Sequence, residues 1–295
     1  MSFVFIGQKL IAANESIQLD SLLNGRGLIY FISVCLLIGV NWGLEAFKWK
    51  VLISSLEIIT YLKALQSVFA GVTISIFSPN RVGEFAGRIF FLEHADKVQA
   101  SLRSFTGSMI QLAITLFAGL VALFAYFQTD LAETHSFVFL NNSGVKIWLL
   151  FLVLFLIFLL LANRLKKSFS EKAQGWLKGI FGLDRRSFML SFFLSLCRYA
   201  VYSLQYYLVL LLFNVDVDPS TGFMLIALSF MVTSLIPTFA LTEIAVRGAT
   251  AVYFFSGTGA APGSVIAASL LLWLLNLGLP ALAGSFFIWK LKFFR

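Results

Sequence analysis

A glutamate followed four residues later by an arginine occurs twice in this chain, each time just past a proline that stops an apolar run. The first copy is Ser78-Pro79-Asn80-Arg81-Val82-Gly83-Glu84-Phe85-Ala86-Gly87-Arg88. The second is Ile236-Pro237-Thr238-Phe239-Ala240-Leu241-Thr242-Glu243-Ile244-Ala245-Val246-Arg247. Glu84 to Glu243 and Arg88 to Arg247 are each a step of 159 residues. A charged group at bilayer depth is costly, so it faces a partner or a wet cavity. Proline-interrupted segments at matching places in two halves point to the binding site of a transporter.

The membrane setting follows from composition. Of 295 residues, 59% are hydrophobic and 12% charged, about half the ~25% charge of an average soluble domain. Apolar runs long enough to cross a ~30 Å hydrocarbon core recur along the chain. The polar stretches 1–26, 128–146 and 164–187 are too short to bury a core of their own. Residues 1–26 lack the basic start and cleavage site of a signal peptide, so they are expected to be retained. Cys35 and Cys197 both fall in apolar runs, where packing is expected rather than a disulfide. The net charge of +8 sits mostly in connections, where it reports orientation and lipid headgroups and not nucleic acid.

Spans are expected at 27–47, 104–127, 146–163, 188–213 and 264–289. Residues 62–78 with a motif helix at 80–94, and 221–236 with 239–256, are expected to form two proline-broken helical hairpins. The basic 164–187 connection, with Arg164, Lys166, Lys167 and Lys172 among its charges, reads as cytoplasmic, together with the 290–295 tail. The acidic 128–146 and 214–220 connections read as external, and Lys48, Lys50 and Lys63 place the end of the first span inside. The expected fold is therefore an all-α polytopic membrane protein. A single domain over 27–289 contains repeat one (27–127), a linking span (146–163) and repeat two (188–289). The hairpins are re-entrant from opposite faces, as in an inverted-repeat transporter.

Each Glu/Arg pair lies at i and i+4, on one helix face. Two readings compete: the pairs merely pin the hairpin helices, or they mark a pathway, which broken intramembrane helices favour. The extra Arg81 suits a phosphate or other anionic head. Pro79 and Pro237 free carbonyls that protein or a wet cavity must satisfy. Arg198, alone in mid-span, is expected to pair with Glu84 or Glu243, and Glu45 to form a surface pair with Lys48 near the inner interface. Gln66, Gln111, Gln205 and Asn276 are expected in interhelical hydrogen bonds, and 174–183 as an interfacial helix. His94 and His135 are the only histidines and lie by polar sequence. No metal set, nucleotide loop or catalytic constellation is written in the chain. No enzyme, cofactor or metal is expected.

At these residues the chain resembles the integral-membrane region of lysylphosphatidylglycerol synthases and the related stand-alone flippase-like proteins. Pro79, Arg81, Gly83, Glu84 and Arg88 match that family's first motif. Pro237 and Glu243 match its late motif, with Thr238, Ala240 and Leu241 where glycines are usual. Phe47-Lys48-Trp49-Lys50-Val51-Leu52 resembles the basic-tryptophan stretch that follows the family's first span. The resemblance covers 27–289 and implies movement of a lipid between leaflets of the plasma membrane, in a bacterium the inner membrane. The soluble aminoacyl-transfer domain has no counterpart in these residues, so lipid lysylation is not implied. On this reading Arg81, Arg88 and Arg247 hold an anionic phospholipid head, and Glu84 and Glu243 lock the arginines or relay protons. Arg198 belongs to the same site. An ion-coupled carrier of a small anion, an intramembrane lipid-modifying enzyme and a scaffold stay open, as does a homodimeric assembly.

Overall fold

The computed structural model describes residues 25–129 and 182–290. The linking span at 146–163, the 174–183 helix, the basic connection and both termini lie wholly or mostly outside the described residues. All regular secondary structure among the described residues is helical. Helix α1 covers Gly25–Ile53, α2 Tyr61–Ile76, α3 Gly83–Ile89 and α4 Lys97–Tyr126. The second half repeats this order with α5 over Arg185–Leu212, α6 over Pro219–Leu235 and α7 over Ala240–Phe255. It closes with α8 over Pro262–Trp273 and α9 over Leu279–Lys290.

Among the described residues four helices are long and apolar enough to cross a membrane: Gly25–Ile53, Lys97–Tyr126, Arg185–Leu212 and Pro262–Lys290. At ~1.5 Å per residue each is longer than the ~30 Å hydrocarbon thickness. Helices α2 and α6, with 16 and 17 residues, are too short to do so alone. Local chemistry explains the boundaries. Thr60, Asp96, Asp184 and Asp218 each accept a backbone N–H at the start of the helix that follows. Pro219 and Pro262 open helices with the φ they need. Pro280 has no N–H for the carbonyl of Asn276, and the chain answers with a π turn over Leu274–Gly278 that joins α8 to α9.

Three boundaries differ from the sequence expectation by five residues or more. Helix α4 starts at Lys97 and not at 104, because the Asp96 carboxylate caps it there. The first span runs six residues further, to Ile53, because Glu45 and Lys48 are buried rather than placed at an interface. The first motif helix stops at Ile89 instead of reaching His94, because the N–H groups of Glu93, His94 and Ala95 turn outward onto the Glu57 carboxylate.

The two halves interlock. Helix α9 packs on α2 while α4 packs on α6, so the last helix of each half covers the first hairpin arm of the other. Thr73 donates to the Ala281 carbonyl over 2.7 Å in the first of these contacts. Helices α1 and α5 form the longest shared seam. Gln205 meets Val34 at one end of it and Arg198 meets Glu45 at the other, so the two helices run antiparallel. Outward faces carry bare apolar side chains, among them Leu36, Phe117, Phe193 and Leu282, each at least 60% exposed. A surface of that kind suits lipid and not water.

Candidate functional site

The first motif is shaped by a tight turn between two packed helices. Ser78 is extended, Pro79 begins a 3-10 turn, and Arg81 takes φ of 58°, the left-handed region. For a residue with a side chain that conformation costs ~1–2 kcal/mol. The Gly83 N–H then donates to Ser78 Oγ over 2.7 Å and starts α3. Helix α3 lies directly on α2: a Cβ placed on Gly87 would sit 2.5 Å from the Gly71 Cα and 2.7 Å from the Ala70 oxygen. This close approach carries Arg88 into the protein. The Ser67 hydroxyl donates to the Arg88 carbonyl and accepts the Trp49 Nε1–H over 3.0 Å.

Arg88 is 1% exposed and shares Nη2 between two carboxylates, Glu45 Oε1 at 2.6 Å and its i−4 neighbour Glu84. Glu45 is the centre of the network. Its Oε2 also receives Lys48 Nζ and Arg198 Nη1, both at 2.7 Å. Arg198 Nε donates to Asn41 Oδ1 over 3.0 Å, and Asn41 Nδ2 donates to Asn276 Oδ1 in the π turn over 3.0 Å. Tryptophan faces back both arginines, Trp49 at 5.5 Å from Arg88 and Trp42 at 5.3 Å from Arg198. Two expectations are corrected here. Glu45 and Lys48 are no surface pair: both are nearly fully buried, because Glu45 neutralises cations from three helices. Arg198 pairs with Glu45 and not with Glu84 or Glu243, because α1 and α5 pack side by side.

The second motif opens onto a cavity. Helix α6 ends at Leu235, and Ile236 and Phe239 are extended around Pro237. Helix α7 follows, with the Phe239 N–H donated to Thr242 Oγ1 over 3.0 Å. On it Arg247 grips Glu243 Oε1 with Nε at 2.8 Å and Nη2 at 2.6 Å. Arg247 Nη1 donates to the Tyr202 hydroxyl of α5 over 2.6 Å. Tyr202 thus receives the motif arginine of its half as Glu45 does in the other. The cavity beside it, ~290 Å³, is lined by Arg81, Arg198, Glu243 and Arg247, with Trp42, Tyr199, Tyr202 and Phe230 as aromatic wall.

Of the residues singled out in the sequence, Arg81, Arg198, Glu243 and Arg247 meet at this cavity. Arg81 is also within electrostatic reach of both Glu84 and Glu243, so the two hairpin breaks face one another. Glu84 and Arg88 stand one step behind, joined to the cavity through Glu45 and Arg198. Pro79 and Pro237 sit in the two breaks. Sequence reasoning missed Glu45 as a hub, and with it Asn41, Trp42 and Tyr202. A signal existed: Asn41, Glu45, Lys48 and Trp49 fall on one face of a helix, a polar stripe that an ordinary lipid-facing span would not carry.

Charge does not balance in this assembly. Lys48, Arg81, Arg88, Arg198 and Arg247 oppose Glu45, Glu84 and Glu243 in the joined network, an excess of two positive charges. The cavity lining alone gives the same excess, three arginines against Glu243. An excess of this kind makes the cavity electrostatically favourable to negative charge. Among the described residues no group of three His, Cys, Asp or Glu side chains could hold a metal ion.

Beyond the spans, Glu57 ties the loop after α1 to the loop after α3. Burial pushes its carboxyl up, but the N–H groups of His94, Ala95 and Glu93, with Lys63 at 3.5 Å, bring it down to about 2. Gln111, Gln205 and Asn276 make interhelical hydrogen bonds as expected, to Ser195 O, Val34 O and Asn41. Cys35 and Cys197 are free thiols, Cys35 on an exposed face.

No curated protein and no solved structure matches the chain. One family model does, over residues 11–284, nearly the whole length and both hairpins. The chain is a multi-pass membrane protein of the family described as the lysylphosphatidylglycerol synthase TM region.

Proposed function

We propose that this protein is a flippase-like transporter that moves an anionic phospholipid or related amphiphile between the leaflets of the plasma membrane, without a chemical step. The observation that carries the reading is the ~290 Å³ cavity with an excess of positive charge, set at two proline breaks in the bilayer region. Ile236 lines this cavity, and close by in the chain Leu235 and Phe239 are exposed apolar side chains. A charged cavity next to exposed apolar side chains suits a lipid head whose acyl chains stay in lipid. Antiparallel α1 and α5, with reciprocal packing of the last helix of each half, support an inverted repeat. Alternating access in such folds is one repeat rocking on the other around a fixed site. Hairpin arms shorter than the bilayer support re-entrant entry.

Reconstitution into liposomes with labelled phospholipids of differing headgroup tests the proposal. Anionic lipids are expected to exchange between leaflets faster than in protein-free vesicles, and Arg247→Gln to remove that rate. Folded, reconstituted protein that moves none of the lipids overturns it.

A further inference from the structure

We infer that the cavity selects a phosphomonoester dianion over a phosphodiester or a zwitterionic head, with Arg81 and Arg198 as the residues that read the second charge. The lipid nature of the ligand rests on the transport reading above; the charge selection does not.

The division of labour among the arginines carries the inference. Arg88 is held by Glu45 and Glu84 through Nη2 alone, and although its Nε is also unpaired it does not line the cavity. Arg247 spends its nitrogens on Glu243 and Tyr202. Arg198 uses Nε and Nη1 on Asn41 and Glu45, and no partner among the described residues takes its Nη2. Arg81 Nε is buried with no hydrogen-bond partner, although the turn that presents it holds the residue in the left-handed region. Arg81 and Arg198, the two cavity arginines not fully engaged by protein partners, line one space that carries an unbalanced charge of two.

A phosphomonoester carries two negative charges at neutral pH, and its three terminal oxygens accept from more than one guanidinium fork. A diester offers one charge and two such oxygens, which leaves one positive charge uncompensated in a site of low dielectric. A headgroup bearing an added ammonium group makes the mismatch worse. The cavity, ~290 Å³, is near the lower end of the ~300–1,000 Å³ range of ligand pockets and has room for a phosphate. The same chemistry is offered by the head of a phosphatidic acid and by free inorganic phosphate.

Calorimetric titration of the purified protein in detergent separates these. The probes are dihexanoyl phosphatidic acid, dihexanoyl phosphatidylglycerol, dihexanoyl lysylphosphatidylglycerol and inorganic phosphate. Phosphatidic acid is expected to bind about tenfold or more tightly than phosphatidylglycerol, since one added charge-assisted hydrogen bond is worth that much. That ratio should shrink toward one between pH 7.5 and 5.5, as the phosphomonoester gains its second proton near pH ~6. The titratable groups facing the cavity are Arg81, Arg198, Tyr199, Tyr202, Glu243 and Arg247, with no histidine among them.

Arg81→Gln should remove the preference and leave thermal stability unchanged, since Arg81 makes no ion pair among the described residues. Arg198→Gln should act alike, with Glu45 still held by Lys48 and Arg88. Inorganic phosphate binding as tightly as the short-chain lipid would support the dianion site and assign it to a free anion. Equal or tighter binding of either phosphatidylglycerol or its lysylated form overturns the inference, as does a preference that survives Arg81→Gln. These outcomes are independent of whether any lipid crosses the bilayer.

Discussion

Arg198 Nη1 donates to Glu45 Oε2 over 2.7 Å, tying the first helix of the second half to the first helix of the chain. Glu45 is the only carboxylate in reach of Arg198 and Lys48 among the described ion pairs, and it shares Arg88 with Glu84. Its loss leaves a cluster of buried cations with one glutamate between them. Glu45→Gln is expected to cost on the order of 3–5 kcal/mol, the usual penalty for breaking a buried pair from one side. Thermal unfolding in detergent checks it. A Glu45→Gln protein as stable as the parent would show that the hub does not hold the halves together.

Balanced removal of charge should behave differently. Arg88→Gln alone strands Glu84, whose pair partner it is, whereas Glu84→Gln with Arg88→Gln removes one charge of each sign at nearly constant size. The double variant should recover most of the stability lost in Arg88→Gln. Because Arg88 stands behind the cavity, lipid movement in the double variant should fall less than in Arg247→Gln. Side-by-side liposome assays at matched protein incorporation decide this. Equal loss in the two would put Arg88 on the ligand path itself.

The sequence disclosed the elements and hid the partners, for a physical reason. Proline stops, apolar length and the two Glu/Arg pairs are local, so the helix pairs and the described spans could be read, most of their ends within three residues. The i,i+4 pairing of Glu243 with Arg247 was legible in the same way. The contacts that assemble the site are not local. Glu45 reaches Arg88 across 43 residues and Arg198 across 153, and no periodicity in a single chain encodes such a distance. Lys48 three residues beyond Glu45 misled, since on a helix end the same pair would snorkel to the surface. Arg81 was legible as a surplus charge, but not as a residue with an unmet buried donor.

Glu57 makes a prediction about acid. Its folded value of about 2 lies below its ordinary 4.5, so its contribution to stability is full above the ordinary value and is lost as pH falls toward 2. Between pH 5 and 2 the parent should lose more stability than Glu57→Gln, which cannot titrate there. At neutral pH, Glu57→Ala leaves three backbone N–H groups without their acceptor and should cost on the order of 3 kcal/mol. Unfolding midpoints across that pH range test both statements. Parallel pH curves for parent and Glu57→Gln would exclude the role.

Steric contact at Gly87 gives a prediction that charge does not enter. Any Cβ there meets backbone of α2, which cannot yield as a flexible side chain can. Gly87→Val should force α3 off α2 and draw Arg88 away from Glu45, lowering the yield of monodisperse protein. Gly25→Ala has nothing within 4 Å of the added carbon and serves as the control. Size-exclusion profiles of the two variants make the comparison. A monodisperse Gly87→Val protein of parental stability would contradict the packing.

Tyr202 separates a bound arginine from a positioned one. Its hydroxyl accepts from Arg247 Nη1, while the Glu243 carboxylate holds the other side of the guanidinium, so the fork is fixed from two helices. Tyr202→Phe keeps the ring that stacks on Phe230, with centroids 5.0 Å apart, and removes only the acceptor. Folding should be retained, and lipid movement should fall about tenfold, the value of one hydrogen bond to a charged group. Arg247→Lys preserves charge but loses the planar fork, and should fall further. Arg247→Gln should leave no movement above the protein-free rate. The ordering of the three rates is the decisive measurement. If Arg247→Lys moved lipid faster than Tyr202→Phe, a point charge would suffice and the geometry of the fork would have no part in transport.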